Sequence, residues 1–328
     1  GRGQRDETEY TGKAEGVLLH PVKTRHQCDG PADSRRRYPR FLRAAPRAGP
    51  GGNVNSGKGD TAVKVIGRSD TGRVRPTNQD AFVCGELSDT TCFAVVCDGM
   101  GGANGGNVAS AIAIKVIADR IVDTYRDGMT ETSLRHMLEA AVSAANIEIF
   151  DAAADNLDLR GMGTTVVAVI AGGNKAYIAH VGDSRAYMAG TGGFDQITLD
   201  HSVVQAMVEK GQLTQSEARN HPRKHFLTRA LGVEEDVECD FTAVDFSGDD
   251  LLLLCTDGLT NMVETDDIYA VIRASSPEDV PDALIAAANM AGAITLRPWF
   301  SRALDGTLGM RDAGPSDAVR HGTAWTGT

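Results

Sequence analysis

Residues 92–102 read Cys92-Phe93-Ala94-Val95-Val96-Cys97-Asp98-Gly99-Met100-Gly101-Gly102. Six apolar residues in an unbroken run are too few for a helix and show no alternation, which predicts a short strand buried on both faces. A carboxylate stands directly at the end of that run. The glycines after it let the backbone turn sharply. An aspartate near the end of an apolar stretch and beside a glycine recurs twice downstream, at His180-Val181-Gly182-Asp183-Ser184-Arg185 and at Leu254-Cys255-Thr256-Asp257-Gly258. A fourth acidic residue, Asp80, follows Asn78-Gln79 and precedes the apolar Ala81–Val83.

Working outward, further strands are predicted at Ala62–Gly67, 163–170, 175–181, 185–189, 237–246 and 250–255. Residues 106–122 place Val108, Ile112, Val116, Ile117 and Ile121 at helical spacing, and residues 131–153 do the same with Leu134, Leu138, Val142 and Ile149. Helices are also predicted at 266–274 and 278–291. Strands in groups with helices in pairs point to an α+β fold of antiparallel sheets covered by helices rather than a βαβ winding. Residues 200–226 are polar and helix-prone without a strong core face, as an exposed flap would be.

The 328 residues carry a formal charge of −11, unevenly spread. Residues 1–60 hold 12 Lys and Arg against 7 Asp and Glu, and residues 61–328 hold 21 against 37. An acidic body disfavours nucleic acid as a partner and suits a protein that collects divalent cations. The six cysteines include no Cys-x-x-Cys pair, and most lie in apolar runs, which fits a reduced, cytoplasmic protein. No apolar run reaches the roughly 18 residues of a membrane helix, and no signal-peptide pattern is read. Residues 1–60, rich in Arg, Gly and Pro, show no sustained hydrophobic period and are expected to be disordered. Within them, Gly52-Asn53-Val54-Asn55-Ser56-Gly57-Lys58 mimics the start of a phosphate-binding loop. The next residue is Gly59 rather than Ser or Thr, and no apolar strand precedes the motif, so nucleotide binding is dismissed.

Carboxylates at strand ends can converge on one sheet edge. Hard divalent cations take oxygen ligands, and Mg²⁺ commonly uses one or two carboxylates and keeps several waters. A single Asp-Gly is usually a turn. Three placed directly after apolar strands raise the metal reading to even standing with the turn reading.

The motifs tip the balance. Ser69-Asp70-Thr71-Gly72-Arg73-Val74-Arg75-Pro76-Thr77-Asn78-Gln79-Asp80, Asp98-Gly99-Met100-Gly101-Gly102, Gly163-Thr164-Thr165, His180 to Tyr187, Leu227 to Gly232 and Thr256-Asp257-Gly258-Leu259 together resemble the PPM family, protein phosphatase 2C, in its compact bacterial form. The resemblance spans residues 61–292. It implies a four-layer αββα sandwich, two antiparallel sheets flanked by helix pairs, with two Mg²⁺ or Mn²⁺ ions in a central cleft. By the match, Asp98 bridges the ions, the Gly99 carbonyl binds one, Asp257 binds the other and Asp80 helps hold a metal-bound water. Asp183, with Asp257, would serve a looser third ion. Arg75 would clamp the substrate phosphate, a task that suits the two-pronged guanidinium. His180 and His201 are read as structural and Met100 as packing. The implied activity is hydrolysis of phosphoserine and phosphothreonine in proteins by a water activated between two cations. The implied partners are phosphoprotein substrates and an opposing Ser/Thr kinase, with no nucleic acid, no membrane and a monomeric state.

Two departures stand out. Gln79 replaces the acidic residue usual before Asp80. After the last helix, the family's Asp-Asn and closing apolar strand are absent, and residues 293–328 form an atypical, aperiodic segment expected to be disordered. Asp305, Asp312 and Asp317 match no motif position. This absence gives the competing expectation, a catalytically impaired domain that binds phosphoproteins or regulates a partner.

Overall fold

A computed structural model of the chain describes residues 14–22, 62–72, 77–101 and 105–293, apart from 247 and 249. For residues 14–22 the description is of the backbone. The chain divides into two units, Gly1–Ala293 and Ile294–Thr328, and the fold below is that of the first. Arg75, Gly102, the loop-like stretch 52–58 and residues 294–328 lie outside the described residues.

Eleven strands are described. They are β1 (Ala14–Val22), β2 (Ala62–Asp70), β3 (Asp80–Glu86), β4 (Cys92–Met100), β5 (Gly163–Thr164), β6 (Val166–Gly172), β7 (Lys175–Val181), β8 (Arg185–Gly190), β9 (Gly193–Gln196), β10 (Asp240–Asp245) and β11 (Leu251–Cys255). The helices are α1 (Gly105–Thr124), α2 (Glu131–Asp155), α3 (Val203–Glu209), α4 (Gln215–Arg219), α5 (Asp257–Thr260), α6 (Thr265–Ala274) and α7 (Val280–Ala293). One sheet runs β2-β1-β11-β8-β9; the other runs β10-β7-β6-β4-β3, with β5 paired to the end of β4. Every pairing among the described strands is antiparallel.

Alternation along each strand divides the core into three slabs. On β4, Phe93, Val95 and Cys97 face α1 and α2 together with Val166, Ala168 and Ile170 of β6. The intervening Cys92, Ala94 and Val96 face the other sheet and meet Leu252 and Leu254 of β11. Leu253 and Cys255 point away from that interface, into a third cluster with Leu259, Ile268, Ile272 and Leu284 of α5, α6 and α7. The layers are therefore helix, sheet, sheet, helix. The unbroken apolar reading of Cys92–Cys97 is explained: both faces of the strand are dry.

The sequence misses three features. Residues 163–170 form two strands instead of one, broken at Thr165. Strand β9 is absent from the sequence reading; its Phe194 ring stacks between Tyr187 and Tyr269, with centroids 4.9 and 5.4 Å away. The expectation of disorder across residues 1–60 is corrected at Ala14–Val22, which pairs with β2 on one side and β11 on the other. Its apolar run sits in a segment rich in Arg and Pro, and its partners lie far along the chain, so the local pattern did not announce it.

Candidate functional site

The antiparallel register brings the aspartates to one edge of the sandwich. Asp80 opens β3 and sits directly across from Asp98 near the end of β4. Asp183 lies in the turn between β7 and β8. Asp257 is the first residue of α5, just after β11. Burial, then the neighbouring charges of Asp80 and Asp257, hold the Asp98 carboxyl well above the usual carboxylate range. Hydrogen-bonding contacts with the same two carboxyls act in the same direction. Burial and then Asp257 and Asp200 raise Asp183 likewise. Arg185 opposes that shift only in part, because its guanidinium is committed to Asp200 at 2.8 and 2.7 Å and to the Tyr187 hydroxyl at 2.9 Å.

Local hydrogen bonds fix the strand ends that carry these groups. Thr165 clamps Asp98 at both backbone positions: the Asp98 N–H donates to Thr165 Oγ1 at 2.9 Å, and the Thr165 N–H donates to the Asp98 carbonyl at 2.9 Å. Thr164 Oγ1 donates to that carbonyl as well, at 2.9 Å. Thr165 Oγ1 also lies 2.7 Å from Ser184 Oγ, tying the Asp98 strand to the Asp183 turn. Thr256 Oγ1 donates to Asp80 Oδ2 at 3.1 Å, and Asn261 Nδ2 donates to Asp257 Oδ2 at 3.0 Å. None of Thr165, Ser184, Thr256 or Asn261 was singled out from the sequence. Thr165, Ser184 and Thr256 lie within the quoted motifs, but the partners of Thr165 and Thr256 are 67 and 176 positions away, and a one-dimensional pattern does not register such pairs.

The Gly99 carbonyl is set by close backbone packing. The Gly99 N–H donates to the Gln79 carbonyl at 3.2 Å, and Ser110 Oγ of α1 donates to the same oxygen at 2.6 Å. A Cβ on Gly99 would run into the Gly106 carbonyl, and one on Gly106 would lie 2.6 Å from the Gly99 carbonyl oxygen. Both positions therefore require glycine. Met100 lies against Gly163, where a Cβ would come within 2.8 Å of its terminal methyl.

The two histidines pack beside the Asp183 turn, both buried, with rings 4.6 Å apart and tilted by 38°. Burial and then the neighbouring His201 push His180 down to about 3, and burial lowers His201 as well.

Crowded carboxylates, Asp80 buried and Asp98, Asp183 and Asp257 half-buried, whose charges disfavour one another's ionisation form a donor set that suits a hard divalent cation. Among the described residues no group of three or more His, Cys, Asp or Glu side chains is placed to hold a metal ion. A cation held here would rest on a few carboxylates, the Gly99 carbonyl and water, which suits Mg²⁺ and Mn²⁺.

The family model for protein phosphatase 2C matches residues 67–289. The chain belongs to the protein phosphatase 2C family. A serine/threonine phosphatase (stp) of Listeria innocua is 39% identical over 226 residues, covering 69% of this chain and 89% of that protein. The serine/threonine phosphatase PstP/Ppp of Mycobacterium tuberculosis shares 35% identity at a TM-score of 0.62, over 69% of this chain and 91% of that one. A structure of the catalytic domain of PstP in complex with two manganese ions matches at 34% identity and a TM-score of 0.60, over 69% and 90%. Members of the protein phosphatase 2C family are enzymes, and this chain is one by membership. The family match begins inside β2, so β1 lies outside it.

Proposed function

We propose that the chain hydrolyses phosphoserine and phosphothreonine in proteins, with Mg²⁺ or Mn²⁺ held at the aspartate cluster. The observation that carries this reading is the register that sets Asp80 directly across from Asp98, with Asp257, at the start of α5, near enough for its charge to act on Asp98 too. In this assignment Asp98, Asp257 and the Gly99 carbonyl would hold the cations, Asp80 would hold a water beside them, and Asp183 would serve a further, looser cation. Manganese in the PstP relative supports the metal class.

The charge of the cluster makes cations necessary. A phosphate monoester is anionic and is repelled by bare carboxylates. Divalent cations supply the positive field and the Lewis acidity for water attack on phosphorus when they are bound. The chain's own residues do the rest. Thr165 and Thr164 lock the Asp98 backbone, so its carboxylate arrives preorganised. Thr256 orients Asp80 across the two sheets. Arg75 is assigned to the substrate phosphate on its motif position. A cytoplasmic, monomeric enzyme that opposes a Ser/Thr kinase completes the proposal; among the described residues no helix is long and apolar enough to cross a membrane.

The test is hydrolysis of p-nitrophenyl phosphate and of a phosphothreonine peptide by the full chain, with and without Mn²⁺. Metal-dependent release of phosphate, lost in Asp98→Asn, supports the reading. Mn²⁺ binding without turnover would favour the impaired, regulatory alternative.

A further inference from the structure

We propose that His201 is a positioning residue for the Asp183 carboxylate, holding the Gly182–Asp183 turn through the acceptor nitrogen Nδ1 of a ring that the His180 ring packs in place. The inference rests on reading Asp183 as a cation-facing group.

Gly182 is pinned by one residue at both of its backbone polar atoms. Its N–H donates to His201 Nδ1 at 3.2 Å, and its carbonyl accepts the His201 N–H at 2.7 Å. From the other side Thr165 closes the turn: a Cβ on Gly182 would come within 2.6 Å of Thr165 Cγ2. Gly182 itself has φ +110°, in the region that glycine alone occupies readily. The turn is thus clamped between Thr165, which fixes Asp98, and His201, which stands near the start of the stretch 200–226.

The donor at Nδ1 decides the histidine's tautomer. A ring nitrogen that accepts from Gly182 carries no proton, so the proton resides on Nε2. Nε2 faces Asp240 Oδ2 at 3.2 Å, and Asp240 Oδ1 in turn accepts from Arg229 Nη1 at 2.7 Å. Arg229 holds Asp240, the Asp240 carboxylate beside Nε2 favours the proton there although the pair lacks hydrogen-bond geometry, and Nδ1 holds the turn. The His180 ring covers the buried His201 ring, so it is packed against reorientation. Asp183 follows the pinned residue directly. A carboxylate on a turn fixed at both backbone atoms of its neighbour keeps one direction; with the acceptor gone, the Gly182 N–H loses its partner in a dry turn and the carboxylate loses that direction.

The first measurement is ¹⁵N NMR of the metal-free full chain at neutral pH. The inference expects His201 Nδ1 to show the shift of a bare acceptor and Nε2 that of an N–H. The second is Mn²⁺ binding by calorimetry. His201→Leu is expected to weaken binding about tenfold or more, as loss of a ligand-orienting partner does. His201→Asn, whose side-chain oxygen can stand where Nδ1 stands, is expected to recover most of that loss, at a melting temperature no higher than that of His201→Leu. A proton on Nδ1, unchanged Mn²⁺ affinity in His201→Leu, or His201→Asn binding no better than His201→Leu would overturn it. None of these readouts needs turnover. A chain that passes them all and hydrolyses no phosphoester would refute the phosphatase reading and leave the role of His201 standing.

Discussion

Thr256 Oγ1 donates a 3.1 Å hydrogen bond to Asp80 Oδ2, joining the end of β11 in one sheet to the start of β3 in the other. Both partners are buried, and the bond ties the two sheets at the edge where the carboxylates gather. Thr256→Val keeps the volume and removes the donor. A hydrogen bond to a charged group contributes about 1.5–3 kcal/mol, so this variant should lose stability of that order in denaturant unfolding and lose metal-dependent activity. Thr256→Ser should retain both. Equal behaviour of the Val and Ser variants would show that the bond does not matter.

Gly106 touches the site only through its lack of a side chain. An added methyl in Gly106→Ala would press on the Gly99 carbonyl oxygen, 2.6 Å from the new atom. Displacing that oxygen should weaken Mn²⁺ binding about tenfold, the scale seen when support of a ligand is lost. Calorimetry on this variant checks it, with Gly128→Ala in the open α1–α2 turn as the control for an unrelated glycine, read for metal affinity alone.

The buried His180 links stability to pH. Its folded value of about 3 lies below its ordinary 6.5. Below pH 6.5 the unfolded chain takes up a proton that the folded chain refuses, so this group's contribution is full above pH 6.5 and is lost as pH falls toward 3. The slope is about 1.4 kcal/mol per pH unit. The raised Asp98 and Asp183 act in the opposite sense in metal-free protein, so the difference between parent and His180→Leu isolates the histidine. Denaturant unfolding at pH 7, 5.5 and 4.5 should show the parent losing stability faster than the variant. Parallel pH curves would rule the linkage out.

The strand β1 makes a claim about residues outside the family match. Leu18 lies opposite Leu253 of β11 and Ile66 of β2. Proline at position 18, where β1 is paired on both sides, removes a ladder donor, unlike Pro21, which lies beyond the pairing with β11. Leu18→Pro in the full chain should therefore speed amide exchange at 251–255 and at 63–69 and lower the melting temperature, while Leu18→Val should not. Unchanged exchange in Leu18→Pro would remove β1 from the sheet.

What the sequence showed and hid follows from distance along the chain. The strand Cys92–Cys97 and the long helices α1 and α2 were legible because their signals are local: a dry apolar run, or apolar residues at helical spacing. The Asp-Gly strand ends were legible as motifs, and the family resemblance placed them in one site. Strand β1 was not legible, because its apolar run sits in a segment rich in Arg and Pro and its partners lie in β2 and β11. The break at Thr165 was hidden because both neighbouring stretches are equally strand-like; only the Asp98 backbone bonds explain it. His201, read as structural from the sequence, proved to be bonded to Gly182, a contact set by the flap's return and not by local spacing.

The central claim is a divalent-cation site organised by Asp98. Its most direct measurement is Mn²⁺ binding to the metal-stripped full chain by calorimetry, beside the same titration of Asp98→Asn. The account predicts at least two Mn²⁺ per parent chain and, in Asp98→Asn, loss of both of the tighter sites, since one carboxylate serves both. Tight Mn²⁺ binding of equal stoichiometry in the two proteins would contradict it.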